Sequence, residues 1–275
     1  MKKTLSFVFV FILLISSLAI TVNATGGSSV GVYINNQEFS GNVRVQDGTT
    51  FVAVRKFATT MDSSAKVTYN YSNRTLTISS SKLYMTVKDG SNYIVANGRY
   101  LYTPSPIFMK SGIMYAPVTL LTKAFDGRAS WSNTSSSFYI TRGSGGILSG
   151  DKFYREDEVY WLSKIINAES GGEILKGKIA VGNVILNRVR SSYFPNTIYS
   201  VIFDRKNGVQ FSPVANGSIY KNANSDSIIA AKICLEGYSI NNYIFYFINP
   251  KTAPNSWVAN NRAFYAQIGN HAFYY

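Results

Sequence analysis

The apolar positions of this chain follow two different periods, and the change falls near residue 143. Between Thr25 and Arg142, short β-branched and aromatic runs such as Val43-Arg44-Val45, Thr75-Leu76-Thr77-Ile78 and Leu83-Tyr84-Met85-Thr86-Val87 alternate with turns of Asn, Gly and Ser. Such runs predict strands. The segment also repeats itself: Phe51-Val52-Ala53-Val54-Arg55, then Phe57 and Met61-Asp62, parallels Met114-Tyr115-Ala116-Pro117-Val118, then Leu121 and Phe125-Asp126. Each copy reads as a strand, a short helix and a hairpin.

Residues 143–150, rich in Gly and Ser, predict a flexible linker. Beyond them the period becomes helical. Asp157 is placed to cap a helix carrying Leu162, Ile165 and Ile166 and ending at Gly171-Gly172. A second helix spans Leu175 to Arg190, with Arg188 and Arg190 favourably placed at its C-terminus. Shorter helices follow from Pro195-Asn196-Thr197 to Phe203, and from Asn224 or Ser225 to Gly237. Tyr243 to Phe247 and the Gly269-Asn270 turn read as a small β element.

The first residues change the picture of where such a protein works. Lys2 and Lys3, the apolar stretch Leu5 to Ile20 and Val22-Asn23-Ala24 form a secretory signal pattern over residues 1–24, with a retained membrane anchor as the rival reading. The lone cysteine, Cys234, lies on an apolar helical pattern and reads as a buried small hydrophobe, so an exported chain is held by packing without internal disulfides. The net charge of +13 is spread rather than clustered. With export, that argues against nucleic acid and for anionic wall polymers as counter-charge, plain solubility being the simpler explanation.

On its repeated strand–helix pattern, the region from about Val30 to Arg142 resembles the copper amine oxidase N-terminal-like domain, an accessory module of exported proteins. The first copy has Val52-Ala53-Val54-Arg55 where that family has its Pro, and the second has Thr119 in place of the Arg. The segment holds no His and only five scattered acids, so no metal site is expected. The resemblance implies a wall-contact or positioning role for residues 25–142.

In the C-terminal half, Leu162, Ile165, Ile166 and Glu169 follow i, i+3, i+4, i+7 spacing, which ends an apolar stripe on a carboxylate. A desolvated carboxyl there would stay protonated toward neutral pH, as a glycosidase acid requires; a last-turn Glu facing solvent is the alternative. Asn167 to Glu173, Gly177 to Val189, Phe194-Pro195-Asn196-Thr197-Ile198, Gln210-Phe211-Ser212-Pro213-Val214, Asn249-Pro250, Trp257 and Ile268 to Tyr274 resemble the catalytic domain of the SleB/CwlJ-type spore cortex-lytic cell wall hydrolases. The resemblance spans nearly all of 157–275. It implies a lysozyme-like fold for 151–275 and lytic transglycosylase activity on peptidoglycan glycan strands, with Glu169 as acid/base, no metal and no cofactor. The fold class is therefore α+β, a duplicated β-rich module followed by a mainly helical lysozyme-like domain.

Gln210, Phe211, Tyr246, Asn249 and Trp257 are candidate sugar contacts, because aromatic faces stack on pyranose rings and amides bridge hydroxyls. Core packing competes for each, most strongly for Phe211. Glu173 either assists electrostatically or begins the next helix. His271, the only histidine, reads as a packed or cleft-lining hydrogen-bonding residue, since no Cys or acid pair accompanies it. A hydrolytic muramidase with a second carboxylate, and a non-catalytic wall-binding protein, are the rival functions. The peptidoglycan-binding N-terminal module usual in the SleB group is not seen in this sequence, which leaves spore cortex and vegetative wall both open as substrate.

Overall fold

The computed structural model describes residues 30–206 and 208–275. The signal pattern of residues 1–24 lies outside the described residues.

The two repeat copies form the centre of the N-terminal half. Strands Thr49–Ala53 and Ile113–Pro117 pair antiparallel, Ala53 opposite Tyr115 and Phe51 opposite Pro117. Each runs straight into a helix, Val54–Met61 or Val118–Ala124, and each helix leads to a hairpin. The first hairpin grows through Tyr84–Lys88 and Tyr93–Ala96 to Arg99–Tyr102, giving a five-stranded meander. The second is joined by Gly31–Ile34, parallel to Ser137–Thr141. Alternate residues Leu76 and Ile78, then Met85 and Val87, turn inward onto Phe57, Leu121 and Phe125, so the period-two pattern builds one core.

The stretch 143–150 departs from the flexible linker expected of its composition. Ile147 is buried in the N-terminal core and its N–H donates to Ala124 O, while Asn97 Nδ2 donates to Ile147 O and Gly150 N–H donates to Asn97 O. Gly146 and Gly150 press against the backbone at Lys82 and Gly98, where a Cβ would meet carbonyl oxygens at 2.2 and 2.8 Å. The glycines serve close contact here, not freedom of motion.

The C-terminal half is organised around the Leu175–Arg190 helix, buried continuously from Gly177 to Arg188. It packs against the Glu156–Ser170 and Ser225–Leu235 helices. Gly182 permits this approach, because a Cβ there would lie 2.7 Å from Cys234 Sγ and 2.9 Å from Ile166 Cδ1. Cys234 is buried, and burial pushes its thiol up, as a packed hydrophobe requires. Thr197 and Asn224 cap their helices by accepting from the N–H groups of Ser200 and Ser227. Asp157 does not cap: Arg155 is the cap residue, and Asp157 sits in the first turn paired with that arginine.

A three-stranded sheet closes this half, with His271–Tyr274 between Tyr246–Ile248 and Phe264–Ile268. The strand expected from Tyr243 begins only at Tyr246. The preceding carbonyls are taken by the central helix, Asn187 Nδ2 donating to Ile244 O and Arg188 Nε to Phe245 O, both at 2.9 Å.

The two halves meet at Glu236, whose side chain is only 3% exposed. Arg99 donates to it through Nε and Nη2, both at 2.7 Å, Tyr154 OH at 2.8 Å and Lys123 Nζ at 3.1 Å. Tyr102 packs on Tyr238 beside this cluster. A carboxylate this buried is tolerated because its charge is matched by a bidentate fork and further donors.

Candidate active site

Glu169 lies in the last turn of the Glu156–Ser170 helix, and the stripe that sets its direction, Leu162, Ile165 and Ile166, is fully buried. The carboxyl reaches a cleft of about 720 Å³ rather than open solvent. Burial alone raises its pKa to about 7, and no described residue hydrogen-bonds or ion-pairs it. A carboxyl so placed is divided between its protonated and ionised forms at neutral pH, which suits an acid that must later act as a base.

The cleft gathers most of the residues singled out from sequence. Gln210 and Phe211 come from the loop before the Ser212–Ala215 helix, and Tyr246 and Asn249 from the Tyr246–Ile248 strand and its exit. Trp257 opens the Trp257–Asn261 helix and His271 opens the central strand. Their states differ. Phe211 is buried and stacks on Phe247, so it is cleft floor and core together. Trp257 is 57% exposed and meets Tyr246 edge-on. Gln210 is engaged at both ends, accepting from Arg188 Nη1 at 3.5 Å and donating to Gly208 O at 3.2 Å. Asn249 Oδ1 accepts from Lys251 N–H, which spends its carbonyl on the turn and leaves its Nδ2 for a ligand.

Glu173 does not line the cleft. Its carboxylate accepts from Asn270 N–H at 3.1 Å and Asn270 Nδ2 at 2.8 Å, and so fastens the hairpin turn. Gly269, at φ 62°, leaves the room for this, since a Cβ would stand 2.0 Å from Glu173 Oε2. Burial opposes the Glu173 charge, but the Asn270 donors, with His271 and Lys178 nearby, hold its pKa below the usual value. His271 Nδ1 lies 3.9 Å from Glu173 Oε1 and is buried without a hydrogen-bond partner among the described residues. Burial depresses the His271 pKa, with Glu173 partly offsetting it, so the imidazole is neutral at neutral pH.

Two basic cleft residues escaped the sequence reading, Arg188 and Arg262. Arg188 was noted only for its place at a helix C-terminus, yet it is 5% exposed and its guanidinium lies 5.0 to 5.4 Å from the ring centroids of Phe194, Phe211 and Tyr246. The signal was present: an arginine between Ile185, Leu186 and Val189 on a helix apolar on nearly every side requires explanation. Arg262 follows an Asn-Asn pair, and nothing in its neighbourhood marked it.

Residues 172–274 carry a match to the family described as Cell Wall Hydrolase. The Copper amine oxidase N-terminal domain matches residues 32–140. The spore cortex-lytic enzyme of Bacillus cereus is 35% identical over 120 residues, 44% of this chain and 45% of that protein. The cell wall hydrolase CwlJ of Oceanobacillus iheyensis is 29% identical over 111 residues, 38% of this chain and 77% of that protein. Among solved structures, the catalytic domain of the germination-specific lytic transglycosylase SleB from Bacillus anthracis is 33% identical, with a TM-score of 0.41, covering 47% of this chain and 100% of that one. This chain spans less than half the length of the spore cortex-lytic enzyme it matches.

Proposed function

We propose that this protein cleaves peptidoglycan glycan strands as a lytic transglycosylase, breaking the bond from N-acetylmuramic acid to N-acetylglucosamine in spore cortex or cell wall. The observation that carries the reading is the half-buried Glu169, unpaired among the described residues, in an open cleft and with a pKa of about 7. The hydrolase family match begins at residue 172, so the role of Glu169 rests on this geometry. The names of the relatives support the substrate.

Glu169 protonates the glycosidic oxygen, and the bond from muramyl C1 to that oxygen breaks. The resulting carboxylate then takes the proton of the muramyl 6-hydroxyl, whose oxygen closes on C1. Glu169 ends protonated, as it began, and the product is a 1,6-anhydro sugar. The attacking oxygen belongs to the substrate, so one carboxyl suffices. A water-using pair of carboxylates spans the scissile bond at several ångströms, and among the described residues Glu169 is the only acid lining the cleft. Tyr246 and Trp257 offer ring faces to sugars, Asn249 offers an amide, and residues 25–142 act as an accessory module joined through 143–150 to the catalytic domain 151–275.

The test is digestion of cortex and vegetative sacculi by wild type and Glu169→Gln, with products read by mass. Wild type is expected to release fragments lighter by one water than hydrolysis gives, and the variant to stay folded and release almost none. Fragments carrying the added water would reassign the protein as a muramidase, and undiminished release by Glu169→Gln would remove that residue from the mechanism.

A further inference from the structure

The cleft contains more positive charge than a neutral sugar requires. Arg188, Tyr246, Arg262 and Trp257 form an alternating ladder along one wall: the Arg188 and Arg262 guanidinia lie 5.4 and 4.7 Å from the Tyr246 ring centroid, and Arg262 lies 4.9 Å from that of Trp257. Neither arginine has a carboxylate partner among the described residues. Arg188 donates through Nε to Phe245 O and weakly through Nη1 to Gln210, while its Nη2 has no described acceptor. Arg262 Nη2 donates to Tyr246 OH at 3.1 Å.

A purely structural role leaves this arrangement unexplained, as a second buried cation shows. Lys164 is also nearly inaccessible, but its three ammonium donors all find acceptors, Tyr220 O at 3.1 Å, Lys221 O at 2.8 Å and Asn222 Oδ1 at 3.4 Å, and it does not line the cleft. The fold can saturate a buried cation where it needs one. At Arg188 it supplies aromatic faces and leaves donors unspent. Burial draws the Arg188 pKa down to about 10, which still leaves it charged at neutral pH. An unsatisfied, desolvated guanidinium gains most from a planar anion that accepts two hydrogen bonds at once.

We propose that the Arg188–Tyr246–Arg262 wall is an anion subsite that binds a carboxylate borne by the glycan strand, and that it selects acidic strands over neutral ones. The inference rests on the reading of the cleft as a glycan site. In peptidoglycan such a carboxylate ends the lactyl ether of muramic acid, or lies on the stem peptide attached there.

Binding to the full chain carrying Glu169→Gln, which holds strands without cutting them, gives the test. The probes are peptide-free strands with lactyl carboxylates, peptide-bearing strands, and the methylamide-capped form of each. Free carboxylates are expected to tighten binding by at least about tenfold over capped strands, the scale of a charge-assisted hydrogen bond. That gap should fall to about threefold or less when Arg262→Gln or Arg188→Lys is added, with unchanged circular dichroism. The surface position of Arg262 keeps the test valid if Arg188 variants fail to fold. A preference seen only with peptide-free strands assigns the lactyl group, and one seen only with peptide-bearing strands assigns the stem. Equal affinity for free and capped strands, or arginine variants that weaken both alike, would overturn the proposal. Wild-type cleavage without any preference discards the subsite and keeps the enzyme, whereas selective binding without cleavage discards the enzyme and keeps the subsite.

Discussion

At the scale of single residues, the Glu169 carboxyl is poised by what it lacks. No donor stabilises its anion, so burial alone sets a pKa of about 7. Catalysis that begins with its proton should decline as pH rises through 7, by about tenfold per unit in kcat/KM well above that value, and a pH–rate series measures it. Stability follows the same proton. The folded state holds it between pH 4.5 and 7 while the unfolded chain has released it, so Glu169 lowers stability progressively across that window and fully above it. Glu169→Gln is therefore expected to melt higher than wild type at pH 8 and at the same temperature near pH 4; equal melting at pH 8 would contradict the buried environment. The carboxyl was legible in sequence because three apolar residues at helical spacing point to it. Arg188 was not, because sequence shows that an arginine interrupts an apolar helix but not which rings it touches. Glu173 was misplaced for a related reason: its partner, Asn270, is remote in sequence and reached only through the fold.

At the scale of elements, the period-two and helical patterns located nearly every long segment, and the Leu175–Arg190 helix has the ends its sequence implied. What remained hidden depends on contacts between elements. The Trp257–Asn261 helix is too short to show a period, and the strand beginning at Tyr246 is delayed by side chains of another helix. Two glycines test these contacts. Gly182→Ala forces the helix away from Cys234 and Ile166 and should cost about 1–3 kcal/mol in denaturant unfolding. Gly269→Ala places a methyl against the Glu173 carboxylate at a left-handed backbone position. Its effect should reach activity as well as stability, because that turn precedes His271 in the cleft. Normal melting and normal release in Gly269→Ala would show that the turn does not set the cleft.

At the scale of the molecule, the duplicated module and the helical domain were legible from the repeat and the change of period, but their junction was not. Composition marked residues 143–150 as loose, whereas the buried Ile147 and the Glu236 cluster depend on shape and on charges brought together by folding. Removing one partner strands a buried carboxylate, so Arg99→Ala should cost about 3 kcal/mol and split a single thermal transition into two, as seen by calorimetry. Burial opposes the Glu236 charge, but Arg99, Tyr154 and Lys123 outweigh it and hold its pKa below the ordinary 4.5. The clasp is thus intact at neutral pH and is lost as acid carries the solution below that value. A single transition in Arg99→Ala would mean that the halves unfold together without it. With the clasp closed, the two halves turn as one caliper: under the proposed function, a polymer held by the first half would be cut by the second at a fixed stand-off, and reach would come from moving the whole body instead of swinging an arm.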